Sequence, residues 1–388
     1  MSGPTPSGLS ELSALCRRVG AAGEPMLEGL DETAAARKAL AILAEVDLLR
    51  WTVPHAFGGA KSNGLASDRD VSVRALCAAR AELAYRSGML DVMFVMQGLG
   101  SYPIARAGSD ALRAEILPRV AAGERIAAFA LTEPEAGSDL GGVALRAEKR
   151  AGAWRLNGAK TFISNAGIAS FYTVLARTSG EPGADRDGGK GSLTMFHVPA
   201  NARGLTATRF EVIGPHPIGE LHFDGVEIDD AERLGAVGEG LEVALATLAR
   251  FRTSVAAAAN GFARRALDES IARLKARKQF SKPLAANQGL RFDLAEMDAR
   301  LRGAELLVAE AADAVDRGER AVKEVARAKL VATETASWIC DRAVQHFGGL
   351  GVKKGSVVER LFRDTRALRI YEGTSEIQKL ILARELVD

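Results

Sequence analysis

The sequence predicts an α+β multidomain chain: an N-terminal α-helical domain, a middle β-sandwich or β-barrel domain and a C-terminal four-helix bundle. Apolar residues recur at helical spacing up to residue 129, alternate in short runs over 130–232, and return to helical spacing over 233–388. The middle stretch lacks alternating strands and helices, which argues against a doubly wound sheet. We therefore expect domains at 1–129, 130–232 and 233–388.

Composition places the chain among ordinary globular proteins. Of its 388 residues, 47% are hydrophobic and 26% charged, with a net charge of +2. Basic and acidic residues are interspersed, so no nucleic-acid surface is expected. The three cysteines lack CxxC spacing and a neighbouring His cluster, which argues against a structural zinc site or a disulfide framework and favours a cytoplasmic location. We expect no signal peptide, no membrane span and no bound metal.

The N-terminal domain is expected to contain several helices. Leu12, Leu15 and Val19 have helical spacing, whereas residues 51–59 indicate a loop. Helices are predicted over 71–86 and 111–120, with Pro103 and Gly108 as interruptions. The very apolar stretch 89–99 is either a buried core helix or the wall of a ligand cavity. Asp91 within it is unusual and could face solvent or meet a polar ligand end.

The middle domain is expected to consist of short strands. Asn157-Gly158 predicts a tight turn between strands, and 221–226 predicts another strand and turn. Residues 181–191 are rich in glycine and charge and predict a mobile loop. The loop over 130–139 contains Pro134 and Gly137, which free backbone N–H groups. Such a loop could bind a flat polar heterocycle or a pyrophosphate, or simply connect two domains.

The C-terminal domain is expected to be helical. One long helix runs from Gly240 to about Lys278, and 290–301 and 322–339 provide packing seams. Between helices, Arg277 and Gln288 could bind phosphate or form a solvated helix end. Three glycines after Gln345 allow close backbone approach to a ligand, but no strand precedes them, so the Rossmann pattern fails. The histidines form no metal or Ser/His/Asp spacing, and His197 and His222 are expected to be structural.

Glu372 is the candidate catalytic carboxylate. It lies between an arginine-rich helix and a final helix, where Gly373 is a C-cap signal. Thr374 or Ser375 could cap the final helix, with Gln378 completing a capping box after Ser375. By local sequence alone, Glu372 could equally be an ordinary surface residue.

Together these stretches resemble the acyl-CoA dehydrogenase family of flavoenzymes. The resemblance rests on Ala130–Asp139 and on a segment from Gln345 through Arg363-Asp364 to Tyr371-Glu372-Gly373-Thr374-Ser375-Glu376-Ile377-Gln378. Pro54…Phe57-Gly58-Gly59 and Arg277…Phe280…Gln288 agree in order and spacing. The resemblance implies FAD as cofactor, a homotetramer of paired dimers, and electron-transfer flavoprotein as acceptor.

The resemblance also implies the site residues. FAD of the same subunit would contact Leu131, Thr132, Gly137, Ser138, Phe162, Ile163 and Ser164. FAD of the neighbouring subunit would contact Arg277, Phe280, Gln288, Gln345, Gly348 and Gly349, and the catalytic loop would add Thr374 and Glu376. The acyl-CoA substrate would meet Ser138, Arg252, Tyr371 and Gly373, and 89–99 would line the acyl cavity.

The reaction implied for Glu372 is removal of an α proton from a thioester, giving a trans-2-enoyl-CoA and reduced FAD. Its backbone N–H and a ribityl hydroxyl of FAD would hold the thioester oxygen. Some family members take the base from the long helix, but Ala249 and Phe251 are not acidic. Desolvation by the acyl chain would raise the carboxylate pKa.

Several positions depart from the family pattern. Phe162 replaces a common Trp, Ser281 a common Gly, and the loop 215–219 lacks the usual hydroxyl residues. His216 in that loop either contacts substrate or forms a structural turn. The alternatives are therefore a flavin oxidase, a dehydrogenase acting on acyl carrier protein, or a non-catalytic binding protein. The intact Glu372 counts against the last, and the short C-terminus against oxidases with an extra domain.

Overall fold

A computed structural model describes residues 8–183 and 191–387. Its N-terminal part is helical, as predicted. The helices are α1 (Leu9–Met26), α2 (Glu32–Glu45), α3 (Val73–Arg86), α4 (Gly88–Ala107) and α5 (Asp110–Ala121), with 3₁₀ turns at Leu48–Thr52 and His55–Phe57. Pro103 does not interrupt the helix as predicted, because it lies inside the buried helix α4. Tertiary packing of α4 in the core outweighs the local cost of the proline.

The middle part is a sheet domain, as predicted. Its strands are β1 (Ala127–Ala130), β2 (Arg146–Arg150), β3 (Ala153–Ser164), β4 (Phe171–Arg177), β5 (Leu193–Pro199), β6 (Leu205–Arg209), β7 (Ile218–Asp229) and β8 (Arg233–Leu234). Their order is β6-β7-β3-β2-β4-β5-β8, and β1 pairs in parallel with β4. Of the predicted loop at 181–191, residues 184–190 lie outside the described residues.

The sheet folds into two halves that share one core. A single residue pair, Arg146 with Arg177, links β2 to β4. Across this junction Trp154 of β3 meets Phe196 of β5 with ring centroids 5.3 Å apart. Strand β4 is buried on both faces, because Tyr172 packs into the sheet core while its neighbours pack against the N-terminal helices. The sheet therefore presses directly on the helical domain.

Two predicted turns are wrong. Asn157-Gly158 lies inside the long strand β3, and Asp224-Gly225 lies inside β7. The register between these strands shifts at Gly158, where an added Cβ would lie 2.9 Å from Leu145 Cα. The Asn157 amide oxygen accepts a hydrogen bond from the Gly225 N–H at 2.8 Å. The glycines and Asn157 thus form a bulged crossing of strands rather than a hairpin turn.

The C-terminal part contains α6 (Gly240–Ala276), α7 (Gln288–Asp316), α8 (Val322–Phe347), α9 (Val357–Arg366) and α10 (Ser375–Val387). A small hairpin of β9 (Lys278–Gln279) and β10 (Lys282–Pro283) separates α6 from α7. Helices α6, α7 and α8 share an alanine-rich core with α3, so the N-terminal and C-terminal helices are joined. None of the helices in the described residues is long and apolar enough to cross a membrane.

Candidate active site

The loop that carries Glu372 lies between two helical segments. Helix α9 continues into a 3₁₀ turn at Ala367–Arg369, and α10 begins at Ser375. Glu372 has φ +53 and Gly373 has φ +94, so two successive residues are left-handed. Glutamate rarely adopts this conformation, and such backbone is found where surrounding contacts enforce it. The loop is therefore held by tertiary contacts.

The cap of α10 differs from the predicted capping box. The Thr374 hydroxyl accepts from the Ile377 N–H at 3.3 Å. Ser375 instead donates its hydroxyl to Glu334 at 2.5 Å. Gln378 turns back to the loop, where its amide donates to the Gly373 carbonyl at 3.0 Å. Thr374 is thus the cap, and Ser375 and Gln378 connect the loop to its surroundings.

Two cations hold the backbone of this loop. The Arg252 guanidinium of α6 donates to the Glu372 carbonyl oxygen at 2.7 Å. The Lys329 ammonium of α8 donates to the Gly373 carbonyl oxygen at 2.8 Å. Lys329 is buried, and burial lowers its pKa to about 8. Both side chains grip backbone oxygens, which leaves the carboxylate of Glu372 free of a direct ion pair in the described residues.

The Glu372 carboxyl group combines a shielded oxygen atom with a raised pKa. Its Oε2 is shielded from solvent and has no hydrogen-bond partner within 8–183 and 191–387. Burial raises its pKa above the ordinary value, while Arg80, Arg252 and Lys329 oppose that rise. Its backbone N–H also donates to no other described residue. A carboxylate oxygen and a backbone N–H, both without a partner in the described residues, thus belong to one residue.

Asp91, which the sequence left unexplained, is buried and paired. Arg80 and Asp91 are each 1% exposed, and the guanidinium binds both carboxylate oxygens at 2.7 Å. Arg80 also donates to the Ser254 hydroxyl at 3.0 Å. The alternative that Asp91 faces solvent is therefore wrong. An aspartate in an apolar helix signals a buried partner, but sequence alone did not identify Arg80 on α3.

The loop at 131–138 is held by a buried lysine. Lys160 of β3 donates to the Leu131 carbonyl oxygen at 2.8 Å and to Glu133 at 2.7 Å. Glu133 also accepts backbone N–H groups of Ala144 and Leu145 at 2.7 and 3.0 Å. Burial lowers the Lys160 pKa to about 8, against the attraction of Glu133. Glu133 is consequently structural, and Lys160 is a supporting residue that sequence reasoning missed.

The outer part of that loop and the end of β3 present an open surface. Gly137 and Ser138 are exposed, and an added Cβ at Gly137 would meet nothing within 4 Å. Phe162 has φ +54 and is 60% exposed, although it touches Phe210 edge-on. Thr132 is half-buried, and its carbonyl accepts from Thr161 N–H at 2.9 Å. An exposed ring beside accessible backbone fits the flat heterocycle of FAD.

Ser164 and His216 meet at the same edge of the sheet. The Ile163 side chain is buried in the sheet core, whereas Ser164 is half-buried. The Ser164 hydroxyl lies 2.7 Å from His216 Nε2. Burial lowers the His216 pKa to about 4, so its ring is neutral near pH 7. The His216 N–H donates to Glu32 of α2 at 2.6 Å, which ties this loop to the N-terminal helices.

The residues assigned to a neighbouring subunit follow the end of α6 (Arg277, Phe280), begin α7 (Gln288), or lie at and just after the end of α8 (Gln345, Gly348, Gly349). Arg252 and Ala276 are 24 residues apart on α6, so at ~1.5 Å per residue the hairpin lies about 36 Å from Arg252. Phe280 in that hairpin has φ +49 and is 99% exposed. The other exposed members are Arg277, Gln288, Gln345, Gly348 and Gly349. One chain therefore does not bring the hairpin and Glu372 together.

The remaining candidates fit no metal or nucleophile site. Glu376 is exposed, and hydrogen bonds from its own backbone and Thr374 lower its pKa. His197 in β5 binds Glu232 at 2.6 Å, and His222 lies in β7. Cys16, Cys77 and Cys340 are buried and free. The described part of the chain contains no cluster of three or more His, Cys, Asp or Glu residues able to bind a metal.

Comparison with known proteins gives matches over almost the whole chain. Three domain descriptions match: "Acyl-CoA dehydrogenase, N-terminal domain" over 13–124, "middle domain" over 128–226 and "C-terminal domain" over 238–387. An acyl-CoA dehydrogenase of Bacillus subtilis (strain 168) is 37% identical over 345 residues, which cover 88% of this chain and 87% of that protein.

Two further similar proteins are named for other activities. A 3-(aryl)acrylate reductase of Clostridium sporogenes (strain ATCC 15579) is 35% identical over 370 residues, covering 94% of each chain. The structure of butyryl-CoA dehydrogenase from Megasphaera elsdenii aligns with a TM-score of 0.88 at 29% identity, covering 100% of each chain.

Proposed function

The chain belongs to the acyl-CoA dehydrogenase family, and we propose that it converts an acyl-CoA thioester into the trans-2-enoyl-CoA with FAD as cofactor. The observation that carries the proposal is Glu372, whose buried Oε2 lacks a hydrogen-bond partner in the described residues. A carboxylate oxygen that is shielded from water and has no hydrogen-bond partner is the kind of base that α-proton removal requires.

Glu372 acts as the base, and its neighbours position it. Arg252 and Lys329 fix the carbonyl groups of Glu372 and Gly373. The loop thereby stays left-handed and directs the carboxylate inward. The N–H of Glu372 donates to the thioester oxygen, where negative charge develops as the α proton leaves. Tyr371, Gly373 and Ser138 complete the surroundings of the thioester.

The residues of the sheet edge and the 131–138 loop fit FAD. FAD, when bound, supplies the acceptor for the two electrons and the β hydrogen removed from the substrate. The accessible backbone at Gly137 and the exposed ring of Phe162 support a flavin site. The proposed contacts within the subunit are Leu131, Thr132, Gly137, Ser138, Phe162, Ile163, Ser164, Thr374 and Glu376.

Neighbouring subunits complete the cofactor site in this proposal. The distance along α6 supports contacts from another protomer through Arg277 and Phe280, and the exposure of Gln288, Gln345, Gly348 and Gly349 is compatible with the same role. A homotetramer made of paired dimers would supply them. We propose electron-transfer flavoprotein as electron acceptor, and the cytoplasm as compartment because the three cysteines are free.

Anaerobic reduction by acyl-CoA thioesters tests the function. Purified protein should absorb as a flavoprotein and bleach when mixed with its substrate from a panel of straight, branched, cyclic, aryl and dicarboxylic thioesters. Reoxidation by electron-transfer flavoprotein, and not by dioxygen, distinguishes a dehydrogenase from an oxidase. The same acyl groups attached to acyl carrier protein test whether the enzyme uses that carrier instead of CoA.

The Glu372→Gln variant tests the base. We expect it to retain flavin and thermal stability but to lose bleaching by at least about a thousandfold, since removing a positioned base costs orders of magnitude in rate. Stopped-flow absorbance of the flavin measures the rate. Bleaching at the wild-type rate would remove Glu372 from this role.

A further inference from the structure

The ion pair between Arg80 and Asp91 lies in the core, where charge is costly. Its two members come from α3 and α4, and both are 1% exposed. A buried ion pair is often no more stabilising than apolar side chains of similar volume. Its presence in helix α4, whose other residues are mostly apolar, therefore calls for a role other than stability.

The pair is connected to the structure that holds Glu372. Arg80 donates to the Ser254 hydroxyl, and Ser254 donates to the Phe251 carbonyl oxygen at 2.6 Å. The next residue, Arg252, holds the Glu372 carbonyl. Arg80 thus braces the segment of α6 that grips the catalytic loop. Tyr371 packs against the same core, which α3 shares.

The charge of Arg80 also reaches the carboxyl group itself. Among the charges that lower the pKa of Glu372, Arg80 acts more strongly than Arg252 and Lys329, and Asp91 acts in the opposite direction. An uncompensated guanidinium here would attract the Glu372 carboxylate and make it a weaker base. Asp91 binds that guanidinium through both oxygens instead.

We propose that Asp91 is a positioning residue for the dehydrogenation: by neutralising Arg80, it lets the guanidinium brace α6 without drawing the Glu372 carboxylate into an ion pair. This inference rests on the proposed role of Glu372 as base. It assigns to Asp91 a task in keeping the base free, whereas the sequence suggested exposure to solvent or contact with a polar acyl end.

The charged and titratable groups around Glu372 come from every element packed against it. They are Arg80 on α3, Asp91 on α4, Arg252 on α6, Lys329 on α8 and the adjacent Tyr371, with Glu334 and Glu376 acting on Lys329. Among these groups, Asp91 is the acid that pairs directly with Arg80. Removing that charge is therefore the change that should leave the guanidinium free to act on Glu372.

The test follows the proton on Glu372 in the flavin-loaded enzyme. The infrared band of the protonated Glu372 carboxyl group is assigned as the band that is missing from the spectrum of Glu372→Gln. The intensity of this band is then measured as a function of pH, which gives the midpoint of the Glu372 titration. In Asp91→Asn the midpoint should move to lower pH, because Arg80 remains charged and favours the carboxylate. The rise of kcat/KM with pH should move the same way, with a lower plateau because the base is weaker.

Two further variants make the result specific. Asp316→Asn removes another buried aspartate, one that accepts hydrogen bonds from Ser72 and Val73 at the start of α3. It should lower the melting temperature without moving the Glu372 midpoint. Asp91→Ser removes the same charge as Asp91→Asn but leaves room for water, and provides the measurement if Asp91→Asn does not fold.

The outcomes separate this inference from the function. The positioning role of Asp91 is supported if the Glu372 midpoint moves to lower pH in Asp91→Asn or Asp91→Ser but does not move in Asp316→Asn. An unchanged or higher midpoint in the folded Asp91 variant would overturn it, whatever the loss of stability. Because the infrared band is measured without substrate, a failure of acyl-CoA to bleach the flavin would count against the proposed function alone.

Discussion

At the scale of single residues, position in the fold decides what a carboxylate can do. Glu372 and Glu376 lie four residues apart on opposite sides of the α10 start. Burial raises the pKa of Glu372, whereas hydrogen bonds lower the pKa of the exposed Glu376. Local sequence predicted Glu372 as a candidate but could not separate it from a surface glutamate. The difference arises from burial, which raises the pKa of Glu372 even though Arg80, Arg252 and Lys329 of three distant helices oppose that rise.

The backbone of the catalytic loop gives a prediction at this scale. In Gly373→Ala, the new Cβ would lie 2.5 Å from Gln378 Nε2, and φ is +94. Left-handed strain should cost about 1–3 kcal/mol in the free energy of unfolding. Displacement of Gln378 should also lower kcat/KM about tenfold or more, because the loop positions the base.

Gly355→Ala is the matched control for that variant. Gly355 has φ +88, but its added Cβ would meet nothing within 4 Å. Denaturant unfolding should show a similar loss of stability, while kcat/KM stays near the wild-type value. If Gly373→Ala kept full activity as Gly355→Ala is expected to, the loop would not need its present conformation for catalysis.

At the scale of elements, small residues set how closely the helices and strands approach. Helix α3 and helix α6 meet at Gly261, where an added Cβ would lie 2.3 Å from the Ala81 carbonyl oxygen. The alanine-rich core that α3 shares with α6, α7 and α8 permits this close approach. Close approach of elements also explains the wrong turn prediction at Asn157-Gly158. A glycine after asparagine predicts a turn, but here it permits two strands to cross.

Two helical glycines provide the test at this scale. Gly261→Ala should lower the free energy of unfolding by about 1–3 kcal/mol, because overpacking forces α3 and α6 apart. Gly303→Ala on α7 should raise it by about 0.5–1 kcal/mol, since its Cβ meets nothing within 4 Å and alanine favours a helix. Urea unfolding measures both. If both variants changed the free energy of unfolding by the same amount in the same direction, the packing between α3 and α6 would tolerate a methyl group.

At the scale of the whole molecule, the proposed site extends beyond one chain. The sheet domain carries the surface around Phe162, and the C-terminal helices carry Glu372. The hairpin with Phe280 projects from the far end of α6, where its ring is 99% exposed. This ring, on a residue held at φ +49, is fully available to a neighbouring surface. We therefore expect this hairpin to contribute both to the assembly of protomers and to the retention of flavin.

Phe280→Ser should reduce flavin content and tetramer fraction while the protomer remains folded. The ring makes no core contact, so far-ultraviolet circular dichroism should not change. Absorbance ratios measure flavin per chain, and light scattering measures mass. Met26→Ser, which replaces another exposed apolar side chain at the end of α1, should change neither. Full flavin content in the Phe280 variant would contradict the role of the hairpin.

Sequence by itself determined the order of helical, sheet and helical parts, because hydrophobic periodicity is a local property. It also identified Glu372 and the glycine-rich and polar loops, since their residue types limit what they can bind. Only the tertiary structure decided which charges are buried together. Three contacts between different elements show this: Arg80 with Asp91, Lys160 with Glu133, and Lys329 with the Gly373 carbonyl. Each contact depends on how the elements pack, and no local pattern along the chain records which residues packing brings together.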